Sequence, residues 1–255
     1  MKTPRLPIQI LVLGLLILVS SSPVSAQESP RPPMCFVVYE EEVLPARMDE
    51  YQQAARERET LFGDFPLPIY PARNGNRLLY VFPVRGFGGL EQFLNAVTAA
   101  ETKAGDESER VNARIAATLQ SRSLSMMAYR PDLSYIPEGF RGSGEMKFRR
   151  HALYHVLPGA GKEFEALVRE YVALCQEKNV QHEIIAYTPV TGEDLDVYLF
   201  GTFAQDREDF GRLAARHLEL IGEKGQALRL RGLALCRSFE QLDFEVLPSH
   251  TPATK

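Results

Sequence analysis

The sequence predicts an α+β chain in which one βαββαβ unit occurs twice. Three observations predict it. Each half opens on a similar stretch, CFVVYEEEVLPARMDEYQ from Cys35 and FRRHALYHVLPGAGKEFE from Phe148, in which Val43-Leu44-Pro45 matches Val156-Leu157-Pro158. Further on, Leu79-Tyr80-Val81-Phe82 matches Val197-Tyr198-Leu199-Phe200, and Ala128-Tyr129-Arg130 matches Ser238-Phe239-Glu240. Matched positions lie roughly 110–120 residues apart, the spacing of a duplicated domain and not of a solenoid. A glycine-rich stretch, 138–147, separates the halves.

The first element is a leader. Lys2 and Arg5 form a basic start, Ile8 to Val19 is an apolar run of 12 residues, and Val24-Ser25-Ala26 offers a small-residue cleavage site. A bilayer span needs about 20 apolar residues, so 1–26 reads as a secretory signal peptide and not as an anchor. Residues 27–33 hold three prolines and read as an extended tether.

The first unit, 34–137, begins with a strand ending at Val43, followed by a helix. Asn74-Gly75 marks a turn between strands near Pro68 and Leu78. Leu90, Phe93, Leu94 and Val97 mark a second helix, and Val111, Ile115 and Leu119 mark another helical segment after the polar break Gly105-Asp106. Residues 138–147 form the linker.

In the second unit, 148–247, Arg149 to Leu157 reads as a strand and Pro158-Gly159 breaks it. The next helix places Phe164, Leu167, Val168, Tyr171, Val172 and Cys175 on one stripe. His182 to Thr188 and Asp196 to Phe203 read as strands. A second stripe follows, Phe210, Leu213, Ala214, His217, Leu218 and Ile221, with Gly222 and Gly225 loosening its end. Leu233 to Phe239 reads as the closing strand, and 248–255 as a disordered tail.

Composition bounds the function. Of 255 residues, 45% are hydrophobic and 24% charged, which excludes disorder over most of the length. Losing the leader removes two basic residues and no acid, moving the net charge from -4 to -6. An acidic exported chain is a poor nonspecific binder of nucleic acid, and it has no membrane contact once the leader is gone. Three cysteines cannot frame a disulfide scaffold.

The βαββαβ order is the ferredoxin-like plan. Two such units, each with a Val-Leu-Pro turn into the first helix and an acidic-aromatic pair one turn later (Glu50-Tyr51, Glu163-Phe164), resemble the dimeric α/β-barrel superfamily, which includes antibiotic-biosynthesis monooxygenase and NIPSNAP-like domains. The resemblance implies that the two units pack as an intramolecular α/β-barrel with helices outside. It implies a small ligand in a cavity between the sheets, and a homo-oligomer as an option. Its alternative implications are a cofactor-independent monooxygenase or a haem-dependent oxidoreductase. The haem-degrading type uses an Asn-Trp-His set, and this chain has no tryptophan.

All five histidines lie in the second half. His151 and His155 share one strand face, with Val38, Glu40 and Glu42 at the matching positions of the first unit. That face either lines a wet cavity or lies exposed. On the cavity reading His155, near the strand end, is the candidate general base, and His151, Glu42 and Tyr198 are candidate ligand contacts. The triplet Glu40-Glu41-Glu42 otherwise reads as a solvated charge run. His217 on the helix stripe is a core histidine or, if haem is the cofactor, its axial ligand. Four strand residues span about 13 Å, too far for His151 and His155 to share one ion, so no metal site is expected. Cys175 and Cys236 are either two buried thiols or a disulfide.

Overall fold

The computed structural model describes residues 34–140, 146–192 and 194–248. The expected leader, the tether and nearly all of the expected tail, with His250, lie outside the described residues.

Eight strands close into one antiparallel barrel. In the first half these are β1 (Met34–Val43), β2 (Tyr70–Asn74), β3 (Arg77–Arg85) and β4 (Leu119–Tyr129). In the second they are β5 (Phe148–Val156), β6 (Ile185–Thr191), β7 (Val197–Ala204) and β8 (Cys236–Val246). The order around the barrel is β1-β3-β2-β8-β5-β7-β6-β4. Each half keeps the ferredoxin-like order, last-first-third-second. The halves join where β2 pairs with β8 (Ala72 with Val246) and β4 with β6 (Tyr129 with Tyr187). Closure leaves no strand edge unpaired, which is how such sheets avoid edge-to-edge association. The α+β tandem ferredoxin-like barrel expected from the repeat is therefore the fold observed.

Helices cover the outside. In the first half α1 (Met48–Leu61), α2 (Gly88–Ala104) and α3 (Asp106–Thr118) do so; in the second, α4 (Gly161–Glu177) and α5 (Arg207–Ala234). Strand alternation sends successive side chains to the helices and to the lumen. On β5, Phe148, Arg150, Ala152 and Tyr154 face the helices, and Arg149, His151, Leu153 and His155 face the lumen. The middle of the lumen is filled by Ala72, Leu79 and Phe244 with Val38, Val81 and Leu242, as an eight-strand barrel allows.

Three segments differ from the sequence reading. Leu233 and Ala234 end α5 instead of opening a strand; Gly222, at φ 55° and ψ -154°, bends the helix, which then resumes to Ala234. The second strand of the second half starts at Ile185, because Ile184 first bridges Tyr135 and the Glu183 carboxylate is drawn away to accept from the Phe203 backbone N–H at 2.7 Å. Residues 131–135, past β4, pack on the second half, where the Tyr135 hydroxyl donates to the Val180 carbonyl at 2.5 Å. Cys175 and Cys236 are free thiols and form no disulfide, and burial pushes Cys175 up to about 12.

Candidate functional site

A cavity of about 370 Å³ lies between the second half's sheet and its helices. Its floor is the helix-facing side of β5 and β7, with Ala152, Tyr154, Phe200 and Thr202. Its roof comes from the apolar stripes of α4 and α5. The exposed members of the lining, Leu218, Arg229 and Gln241, mark its mouth. Aromatic and aliphatic side chains share the wall, and the rings brace each other: Tyr154 lies 5.4 Å from Phe164 and 5.5 Å from Phe200, centroid to centroid. Such walls suit a planar apolar ligand, and the polar groups among them set its orientation.

Those polar groups divide into committed and uncommitted ones. Arg150 stacks on Phe210 at 4.3 Å and donates from Nε and Nη2 to Asp243 at 2.6 and 2.9 Å. Tyr171 and His217 Nε2 share a hydrogen bond of 2.7 Å, and burial holds His217 below its ordinary range. Arg229 lies beside the Tyr154 hydroxyl. The buried uncommitted group is His182, whose ring packs edge-on against Phe210 and His217. The main chain of Phe203 holds one ring nitrogen, while Nε2 is buried without a partner. Burial, then the neighbouring His217, push its pKa down to about 4, so the ring is neutral and Nε2 presents a lone pair.

The residues expected from sequence fall in different places. His217 is in the cavity wall. Tyr198 stands on the same sheet face but its hydroxyl donates to Glu165 at 3.2 Å. His151 and His155 lie on the other face of β5, in the lumen, so the strand face is neither exposed nor part of this cavity. His151 is 8% exposed and packs on Phe244, held well below its ordinary pKa by burial and by the Arg149 charge. His155 Nδ1 is 2.8 Å from Asp194 Oδ2; its Nε2 is 3.3 Å from Glu240 but off the hydrogen-bonding axis. Glu42 is also on the lumen face, accepting from Ser121 at 3.3 Å. The triplet is not a solvated run, because Glu41 is fully buried under α1.

Sequence reasoning missed His182 and Tyr171. Tyr171 had a signal: it and His217 sit at the same offset, seven, on their two helix stripes, which brings them face to face. His182 lies just ahead of a strand, where no periodicity marks it.

No family model matches the chain, and no curated relative does. Solved structures share the architecture. An anthrone oxidase-like protein superposes with a TM-score of 0.59 at 11% identity, covering 88% of this chain and 95% of its own. A proposed monooxygenase from Fusobacterium nucleatum gives 0.56 at 11% identity, over 86% and 94%. One from Lactobacillus acidophilus NCFM gives 0.52 at 9%, over 86% and 97%. What these structures share with this chain is the fold, a closed barrel of two ferredoxin-like units.

Haem is the alternative expected from the sequence, and His217 is the residue to test against it. Its Nε2, the atom that would meet the iron, is already bonded to Tyr171. The cavity, near the lower end of the ~300–1,000 Å³ usual for ligand sites, is small for a four-ring macrocycle. His217 and this cavity do not fit a haem as they stand. Among the described residues, no three His, Cys, Asp or Glu side chains gather as a metal site.

Proposed function

We propose that the chain is an exported small-molecule-binding barrel whose ligand is a planar aromatic carrying a hydroxyl group, held between α4, α5 and the sheet. The observation that carries the reading is the unpartnered His182 Nε2 in an aromatic cavity wall. Leaving a buried acceptor unsatisfied costs about 1–3 kcal/mol, and a ligand O–H placed there recovers it. A hydrocarbon of the same shape would fill the walls and leave the acceptor bare. The export part rests on the leader alone.

The test is calorimetric titration of the mature chain with 2-naphthol and with naphthalene. The hydroxylated ring should bind at least tenfold more tightly. Ala152→Leu, which fills the floor, should abolish binding with little change in melting temperature. Equal binding of the two rings, or unchanged binding in the filled variant, would refute the reading.

A second reading is cofactor-independent monooxygenation of the same ligand class. What favours it is the neutral imidazole of His182, beside the Tyr171–His217 bond, which can hold a ring hydroxyl in one orientation by accepting its hydrogen bond. A ring CH₂ of a hydroxyanthrone would become C=O, one oxygen atom of O₂ entering the product and the other leaving as water. Oxygen uptake with such a substrate, lost in His182→Leu, is the expected result.

A further inference from the structure

Arg149 and Arg150 are adjacent on β5 and point to opposite faces of one strand. Arg150 presents its Nε–Nη2 edge to both oxygens of Asp243. Arg149 has the same edge empty: Nε and Nη2 are both buried and neither has a partner. The residue is 7% exposed and lies in the lumen, with the Phe244 ring 5.5 Å from its guanidinium carbon. Its neighbours there bring no negative charge. Tyr187 keeps its proton, its pKa pushed up to about 12 by burial, and His151 is neutral. Burial lowers the Arg149 pKa to about 10, which still leaves it charged at neutral pH.

An unpaired buried charge costs several kcal/mol, and one cation–π contact offsets only part of that. The Nε–Nη2 edge is a planar two-pronged donor whose natural complement is a planar anion with two oxygens side by side. We propose that the barrel lumen binds a carboxylate-type anion on this edge of Arg149. The site lies one residue from the start of β5, at the end of the barrel. There stand the half-buried rings of Phe36, Tyr129 and Tyr187, with Tyr187 5.3 Å from Phe36 and 6.2 Å from Tyr129, centroid to centroid. It is on the opposite face of the sheet from the aromatic cavity and does not depend on what that cavity holds.

The experiment is thermal unfolding of the mature chain in sodium formate against sodium chloride at equal ionic strength, in a buffer without carboxylate. A ligand that binds only the folded state raises the melting temperature with its concentration. Wild type should show a saturable, formate-specific rise. Arg149→Met should show none, and in chloride should melt no lower than wild type. Arg149→Lys keeps the charge without the fork and should need at least tenfold more formate; it decides the matter if the methionine variant does not fold. Benzoate separates two sources. A lower midpoint than formate assigns the carboxylate to a larger molecule, and inactivity assigns a small free anion; both retain the site. The same response to formate and chloride in wild type, or an undiminished formate-specific rise in Arg149→Met, would overturn the proposal.

Discussion

Glu41 has no exposed surface, yet its carboxylate is well supplied with donors. Tyr51 donates at 2.5 Å and Tyr39 at 3.2 Å, and Arg58 approaches both oxygens at 3.2–3.3 Å. Tyr80 joins through Tyr51 at 2.8 Å. The network is satisfied and underlies α1, so it reads as a structural hub and not as a ligand site. Removing one partner of a buried ion pair leaves the other uncompensated, at a cost of about 3–5 kcal/mol. Because Arg58 retains some solvent contact, Glu41→Ala should fall at the lower end of that range, about 3 kcal/mol, in urea unfolding. A loss below about 1 kcal/mol would mean that the hub is dispensable. The sequence showed the triplet but not this role. The burial of Glu41 depends on Tyr51 and Arg58, which reach it from a helix 10 and 17 residues away. The lumen histidines mislead for a related reason. Polar residues repeating on one strand face mark a face that is not a plain apolar core, but they do not say whether ligand, water or other side chains fill it.

At the scale of elements, α5 supplies more of the cavity's lining residues than any other element. Asp206 caps it by accepting from the Asp209 N–H at 2.8 Å. Leu218 before the bend at Gly222 and Leu228 and Arg229 after it all line the cavity, so the bend shapes the mouth. A φ of 55° with ψ of -154° is open to glycine and strained for any side chain. Gly222→Ala should therefore cost about 1–3 kcal/mol and weaken 2-naphthol binding, both read from one preparation by unfolding and titration. Unchanged stability and affinity together would show that the bend is incidental. The helix stripes and the paired strands were legible because their periods of 3.6 and 2 are written in apolar residues. The continuation past Gly222 was not, because two glycines close together read locally as an end. Only packing against the second half's core, where Leu228 is 5% exposed, keeps the helix going.

The whole molecule is one barrel made by two halves, and its joints are polar as well as hydrogen-bonded. Arg73 pairs with Glu245 at 2.9 Å across β2 and β8. Beyond β4, Arg130 reaches Glu165 at 2.9 Å and Asp132 reaches Arg169 at 2.8 Å, tying the first half's end to α4. Separately expressed 34–138 and 148–248 should each expose the lumen face and two strand edges, and aggregate or associate; soluble, stable monomers of both would show that the halves are independent. Acid should loosen the assembly in two stages. His151, His182 and His217 have depressed folded pKa values, so each contributes stability above its unfolded value of ~6.5 that is lost as pH falls toward the folded one. For His182, with a folded value of about 4, that amounts to about 3 kcal/mol at ~1.4 kcal/mol per unit. Asp132, Glu165 and Asp243 are held low, chiefly by hydrogen bonds from Arg130 to the first two and from Arg150 to the third. Their contribution persists to about pH 4 and is lost below it. Burial raises Glu40 and Glu183, whose protonation offsets part of the loss on acidification. Urea unfolding from pH 7.5 to 4 should thus show stability falling well before any carboxylate pair is protonated. His182→Leu should remove its own share, about 3 kcal/mol, of the decline between pH 6.5 and 4, while a flat profile over that interval in wild type would mean that the buried imidazoles are not held neutral by the fold.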